Sequence, residues 1–158
     1  MPVGDNDDFL PRDLPEPVKR LLDRPVHYKL DDRGEPVPVH TRREDGSMNV
    51  EALIEWGRFM EEIQVRRVLL TEVVAGTFVS TVFLGLDHNF YASGPPILWE
   101  TMVWTEVAPP PAQQWRNREW WDIERRYSNQ SEARDGHAEV VAEVRATLAA
   151  EGAAAEDP

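Results

Sequence analysis

Residues 77–86 constrain the fold of this chain most strongly, because they are apolar along both faces of a predicted β-strand. The side chains that alternate between the two faces are Val79, Thr81 and Phe83 on one, and Val82, Leu84 and Leu86 on the other. A strand that is apolar on both faces is normally central in its sheet and covered on both sides. We therefore expect a sheet built around residues 77–86.

The neighbouring segments predict the rest of an antiparallel sheet. Residues 67–74 and 97–107, and part of 115–127, have the β-branched and aromatic composition of strands. Ala75-Gly76 is typical of a tight turn. Nearer the N-terminus, two short runs at 26–30 and 36–39 flank an Asp/Gly-containing loop and predict a hairpin. Prolines in its second strand place that strand at an edge.

Two segments have helical periodicity. Residues 50–63 follow Asn49, a plausible N-cap, and their apolar stripe includes Gly57, which costs about 1 kcal/mol in a helix. We expect close approach to a strand to compensate for this glycine. The second helix, residues 130–150, is capped by Ser128 or Asn129 and ended by Gly152. Its predicted buried stripe consists of Ala133, His137, Val140, Val141, Val144 and Leu148.

These patterns predict an α+β fold, with an antiparallel three- to four-stranded meander, two packed helices and a small N-terminal edge hairpin. Residues 1–24 are acidic and poor in large apolar side chains, and we expect a mobile arm there. Residues 25–150 should form a single domain, and residues 151–158 a frayed tail. Two helices on one face would leave strand 77–86 half exposed, so the hairpin or a partner must cover its other side.

The composition excludes several classes of function. A net charge of −12 argues against binding to nucleic acid and to anionic membranes, which both require clustered basic residues. The pairs Arg66-Arg67 and Arg125-Arg126 lie in strand-like contexts that send the two side chains to opposite faces. The absence of cysteine excludes disulfides, thiolate nucleophiles and Cys-based zinc sites. No apolar run is long enough to span a membrane, so we expect cytosolic residence or packaging in a particle.

Several segments form a recognisable pattern: residues 80–90, Gly94-Pro95-Pro96, residues 100–103, Arg126-Tyr127, Glu132-Ala133 and Gly136-His137. Through these segments, residues 50–148 resemble a family of small uncharacterised proteins encoded by tailed bacteriophages and prophages. The segment Asp-His-Asn-Phe at 87–90 is the most specific part, and the chain departs from the pattern at 91–93 and 109–114. The resemblance implies a phage origin, with the host cytoplasm or the virion as the place of action, and it implies no activity.

The Asp-His-Asn segment also supplies the candidate polar site. Asp87, His88, Glu100 and His137 would offer two carboxylates and two imidazoles if the last helix packed near this loop, and such ligands suit Zn, Mn or Fe(II). Asp87 and Glu100 alone would make a candidate acid–base pair. No diagnostic metal spacing is present, so we expect no cofactor. In the alternative interpretation Asp87 and Asn89 cap a turn, and His137 is a core histidine bonded to a backbone carbonyl or a carboxylate.

Tryptophan is the other notable feature. Five tryptophans lie close together in the sequence, namely Trp99, Trp104, Trp115, Trp120 and Trp121. A small core cannot bury all five completely. An exposed aromatic cluster usually marks an interface, so the last three residues form the candidate partner-binding region.

The leading hypothesis is a non-enzymatic phage accessory protein that binds a host or viral protein, with homo-oligomerisation left open. The alternatives are a small metal-dependent enzyme that uses the Asp87-His88 loop, and a minor virion component held in place by its acidic arm.

Overall fold

The computed structural model describes residues 24–90, 93–106 and 123–155, the last five by their backbone alone. Its strands are β1 (His27–Leu30), β2 (Pro36–Val39), β3 (Arg67–Val74), β4 (Thr77–Phe83), β5 (Trp99–Thr105) and β6 (Glu124–Tyr127). Its helices are α1 (Val50–Glu61), α2 (Ile63–Arg66) and α3 (Gln130–Ala155). The predicted arm, apart from Arg24, and the candidate partner-binding residues Trp115, Trp120 and Trp121 lie outside the described residues. The predicted α+β fold is confirmed.

Strands β3 to β6 form one antiparallel meander in the order β3-β4-β5-β6. Strand β4 is an inner strand, as predicted, with Val79 paired to Thr71 on one side and to Val103 on the other. The predicted turn at Ala75-Gly76 joins β3 to β4, and Gly76 has a φ of 76°, in the left-handed region that favours glycine.

The N-terminal hairpin, β1–β2, is attached beyond the end of β4. Tyr28 N–H donates to the Gly85 carbonyl at 2.9 Å, and Asp87 N–H donates to the Val26 carbonyl at 2.8 Å. Trp56 of α1 fixes the same junction, because its Nε1–H donates to the Tyr28 carbonyl at 3.2 Å and to the Gly85 carbonyl at 3.0 Å. The hairpin is therefore joined to the sheet at this end, and Tyr28 packs into the core with Phe83 and Trp99.

Helix α1 begins as predicted, with the Asn49 side chain accepting the N–H of Ala52 at 3.3 Å. The prediction for Gly57 was wrong, since a Cβ there would have no heavy atom within 4 Å. The glycines that do permit close approach are Gly85, where a Cβ would overlap the Met60 sulfur, and Gly136, where it would overlap the Tyr127 hydroxyl. Periodicity locates a glycine on a helix stripe, but it does not reveal what packs against it.

Helix α3 closes the core. Asn129 caps it, with its side-chain oxygen accepting the N–H of Glu132 at 2.9 Å. Val140 and Val144 are fully buried against Val79 and Val103, and the predicted stripe is confirmed. The helix runs through Gly152 to Ala155, past its predicted end at Ala150.

Helix α3 covers one face of the sheet, whereas α1 packs mainly on the hairpin and reaches the same face through Phe59. Phe83, on the face against α3, also packs edge-to-face with Phe59 of α1, with ring centroids 6.1 Å apart. The opposite face, which we call the open face, retains large apolar side chains in contact with solvent. Leu70 and Met102 there are 42% and 41% exposed. In the described part of the chain, no helix is both long enough and apolar enough to cross a membrane.

Candidate functional site

The Asp87 bend follows the end of β4 and is held by the buried Asp87 carboxylate. Its Oδ1 accepts the backbone N–H of Asn89 at 2.8 Å and that of Ile97 at 2.9 Å. Its Oδ2 forms an ion pair with Arg24 Nε at 2.8 Å, and only 4% of the side chain is exposed. Since both oxygens bind groups of the chain itself, this carboxylate fixes the bend.

The rest of the bend is also held by its own hydrogen bonds. The Asn89 amide donates to the carbonyls of Ser93, at 3.0 Å, and Pro95, at 2.8 Å. His88 N–H donates to the Ile97 carbonyl at 3.0 Å, and its ring lies against Phe90, with centroids 6.0 Å apart. The interpretation in which Asp87 and Asn89 cap a turn is confirmed.

His137 lies beneath α3, within a network of threonine hydroxyls. Its Nε2 is 2.8 Å from Thr71 Oγ1 and its Nδ1 is 2.9 Å from Thr81 Oγ1, which in turn lies 2.6 Å from Thr101 Oγ1. The residue is 5% exposed, and burial lowers the pKa of its imidazole. The sequence correctly predicted a core histidine, but the predicted bond to a backbone carbonyl or a carboxylate was wrong.

Glu100 points away from His137. Its neighbour Thr101 faces His137, and successive side chains of a strand alternate, so Glu100 lies on the open face. There its Oε2 accepts from Arg126 Nε at 2.8 Å. This hydrogen bond raises the pKa of Arg126, with a further contribution from Glu124.

The four predicted site residues therefore do not come together. Asp87 and His88 lie beyond the end of β4, whereas Glu100 and His137 lie on opposite faces of the sheet. Within residues 24–90, 93–106 and 123–155, no group of three or more His, Asp or Glu side chains is close enough to hold a metal ion. Neither the metal site nor an acid–base pair of Asp87 with Glu100 gains support from this arrangement.

The open face has an apolar centre and a charged margin. Phe78 and Trp104 stack in the part of this face nearest the β3–β4 turn, with ring centroids 4.5 Å apart and an interplanar angle of 17°. Leu70 and Met102 belong to the adjacent cross-strand row, because both pair with Ser80. The charged residues whose register places them on this side are Arg67, Glu72, Glu100, Glu124 and Arg126. An apolar centre with a polar rim is the usual anatomy of a protein–protein interface.

Sequence reasoning missed a cleft of about 530 Å³ at the open end of the β1–β2 hairpin. Its described lining consists of residues 24–27, residues 39–44 and Gly46. This lining includes three arginines, Arg24, Arg42 and Arg43, and one glutamate, Glu44, and Arg24 is paired with Asp87. Arg24 is separated from the adjacent pair Arg42-Arg43 by the β1–β2 hairpin, so only the folded chain places it near them.

The chain matches no protein-family model, no curated protein and no solved structure.

Proposed function

We propose that this protein is a non-enzymatic accessory protein of a tailed bacteriophage or prophage, and that it binds another protein through the open face. The observation that carries the proposal is the apolar centre of that face. A monomer gains stability by burying such side chains, yet Leu70 and Met102 each keep about two-fifths of their surface in water. The phage origin is supported by the sequence resemblance of residues 50–148.

The charges of the open face favour a protein partner over nucleic acid. Glu72 pairs in register with Phe78 of the aromatic stack. Arg126 is paired with the two other glutamates of this face, with Glu100 at 2.8 Å and with Glu124 at 2.6 Å. Stacking of bases on aromatic side chains requires a basic groove to neutralise phosphates. The open face has three glutamates against Arg67 and Arg126, so it supplies no such groove, and its charges suit an apolar segment with basic flanks.

The predicted role of Trp115, Trp120 and Trp121 stays a prediction. The connection that carries them leaves the sheet after Thr105 at the end of β5 and returns at Glu124, which pairs with Met102. Both ends of the connection therefore lie at one end of the sheet.

A charge substitution in the open face tests the proposal. Met102→Glu places a carboxylate in the apolar centre, whereas Val50→Glu makes the same change at an equally accessible position of α1, where Val50 is 52% exposed. In affinity capture from the host, we expect Met102→Glu to lose a protein that the wild type and Val50→Glu retain. The melting temperatures should stay close together, because exposed substitutions usually change stability by less than about 0.5 kcal/mol.

Two results would contradict the proposal. One is capture of the same proteins by all three forms of the chain. The other is a large fall in the melting temperature of Met102→Glu alone, which would show that the chain itself covers this face. Mass spectrometry of purified particles separates action in the host cytoplasm from residence in the virion.

A further inference from the structure

The basic cleft at the hairpin end is unusual in so acidic a chain. The net charge of the protein is −12, yet the described lining of the cleft holds three arginines and one glutamate. Like charges in one concave surface reinforce each other, and low-dielectric walls focus their field. Arg24 is already paired with Asp87, so Arg42 and Arg43 are the groups of the cleft that attract an anion.

Two of the arginines are accessible to a ligand. Arg42 and Arg43 are both exposed. Arg42 donates to the Gly46 carbonyl over 3.5 Å, a long bond, and Arg43 donates to the Met48 carbonyl at 3.1 Å and to Glu51 at 3.2 Å. Exposed pairs of this kind contribute little, about 0–1 kcal/mol, so a ligand carboxylate can replace them at small cost.

The walls of the cleft are held in place by packing. The His27 ring lies edge-on to Trp56, with centroids 4.6 Å apart and an interplanar angle of 85°. Its Nδ1 is 3.2 Å from Thr41 Oγ1 on the facing segment. Asn49 N–H donates to the Thr41 carbonyl at 2.8 Å, which ties that segment to the start of α1.

We propose that this cleft binds the acidic segment Asp5–Asp8 of the chain's own N-terminal region. Asp5, Asp7 and Asp8 supply three carboxylates within four residues and no basic side chain interrupts them. The segment is joined to Arg24, which itself lines the cleft. The intervening chain is long enough to reach any part of the cleft, at about 3.3–3.6 Å per extended residue.

The tether makes the weak ion pairs effective. A covalently linked segment is present at an effective concentration in the millimolar range, so several carboxylate–guanidinium contacts occupy the cleft without high intrinsic affinity. An anionic ligand from outside must compete with this segment. The cleft is therefore self-occupied until a stronger anion displaces the N-terminal region.

Paramagnetic labelling of the full-length chain tests the proposal, because the sequence has no cysteine. A nitroxide attached at Gly4→Cys should broaden the amide signals of residues 41–46 far more than those of α3. The broadening should disappear in Arg42→Glu/Arg43→Glu. It should persist in Arg134→Glu/Arg145→Glu, which makes the same charge change at exposed positions of α3.

A charge swap keeps the test decisive if Arg42→Glu/Arg43→Glu alters the fold of the cleft. Asp5→Lys/Asp7→Lys/Asp8→Lys should abolish the broadening by itself, and combining it with Arg42→Glu/Arg43→Glu should restore it. About 0.5 M NaCl should also reduce it, because the Debye length then falls to about 4 Å.

Three results would overturn the proposal. The first is no preferential broadening of residues 41–46 in the labelled chain. The second is broadening that survives Arg42→Glu/Arg43→Glu. The third is broadening that appears only when a labelled chain is mixed with a second, isotope-enriched copy, which would assign the contact to another molecule.

Discussion

The buried His137 ring should make the stability of the protein depend on pH in a predictable direction. Burial lowers the pKa of this imidazole in the folded chain, whereas an unfolded chain titrates near 6.5. Below that pH the unfolded state binds more protons than the folded state, so the free energy of unfolding falls as the pH falls. The groups that hydrogen-bond the ring are threonine hydroxyls, which do not titrate in this range.

The size of the effect follows from proton linkage. If the imidazole stays neutral in the folded chain, the free energy of unfolding falls by about 1.4 kcal/mol between about pH 7.5 and 5.5. This is the upper limit for one ring. His27, whose pKa is also lowered by burial, contributes with the same sign. Comparison with a His137 variant removes the contribution of His27 and of the carboxylates.

Urea unfolding followed by tryptophan fluorescence at the two pH values measures this difference. On acidification, the free energy of unfolding of His137→Gln should fall by up to about 1.4 kcal/mol less than that of the wild type. His40→Gln, at an exposed position, should behave as the wild type does. The reasoning is refuted if His137→Gln has the same pH dependence as the wild type, or if the His137 ring titrates at or above the value for an unfolded chain.

Three substitutions test the packing and the bend. Gly136→Ala should destabilise the fold by about 1–3 kcal/mol through overlap with Tyr127, whereas Gly57→Ala should stabilise it by up to about 1 kcal/mol. Thermal unfolding measures both changes, and a stabilising Gly136→Ala or a destabilising Gly57→Ala would contradict the packing. Asp87→Ala should cost about 2–5 kcal/mol, because it removes the ion pair with Arg24 and the acceptor of two backbone N–H groups. Unchanged unfolding in urea would show that the carboxylate is not structural.

The sequence predicted the sheet and α3 well, because local patterns determine them. Alternation in residues 77–83 set the faces of β4, and the stripe from Ala133 to Leu148 matched the face that α3 buries. The sequence also predicted that the side chains of Arg125 and Arg126 would point to opposite faces of the sheet. Arg125 pairs with Glu139 and Glu143 on α3, whereas Arg126 pairs with Glu100 on the open face.

The features that were missed depend on tertiary contacts. The convergence proposed for Glu100 and His137 required both to face the same side of the sheet, and the orientation of α3 over Thr81 and Thr101 prevents this. The role of Gly57 was misassigned because a pattern on one helix says nothing about its neighbour. The basic cleft forms only when the β1–β2 hairpin brings Arg24 beside Arg42 and Arg43.

The central claim is that the open face, and not the Asp87 bend, contacts the partner. Photo-crosslinking tests it most directly, with a benzophenone attached at Met102→Cys in one sample and at His88→Cys in another, each added to an extract of the host bacterium. The account predicts a discrete crosslinked protein from position 102 and none from position 88. A crosslinked protein from position 88 alone would contradict it.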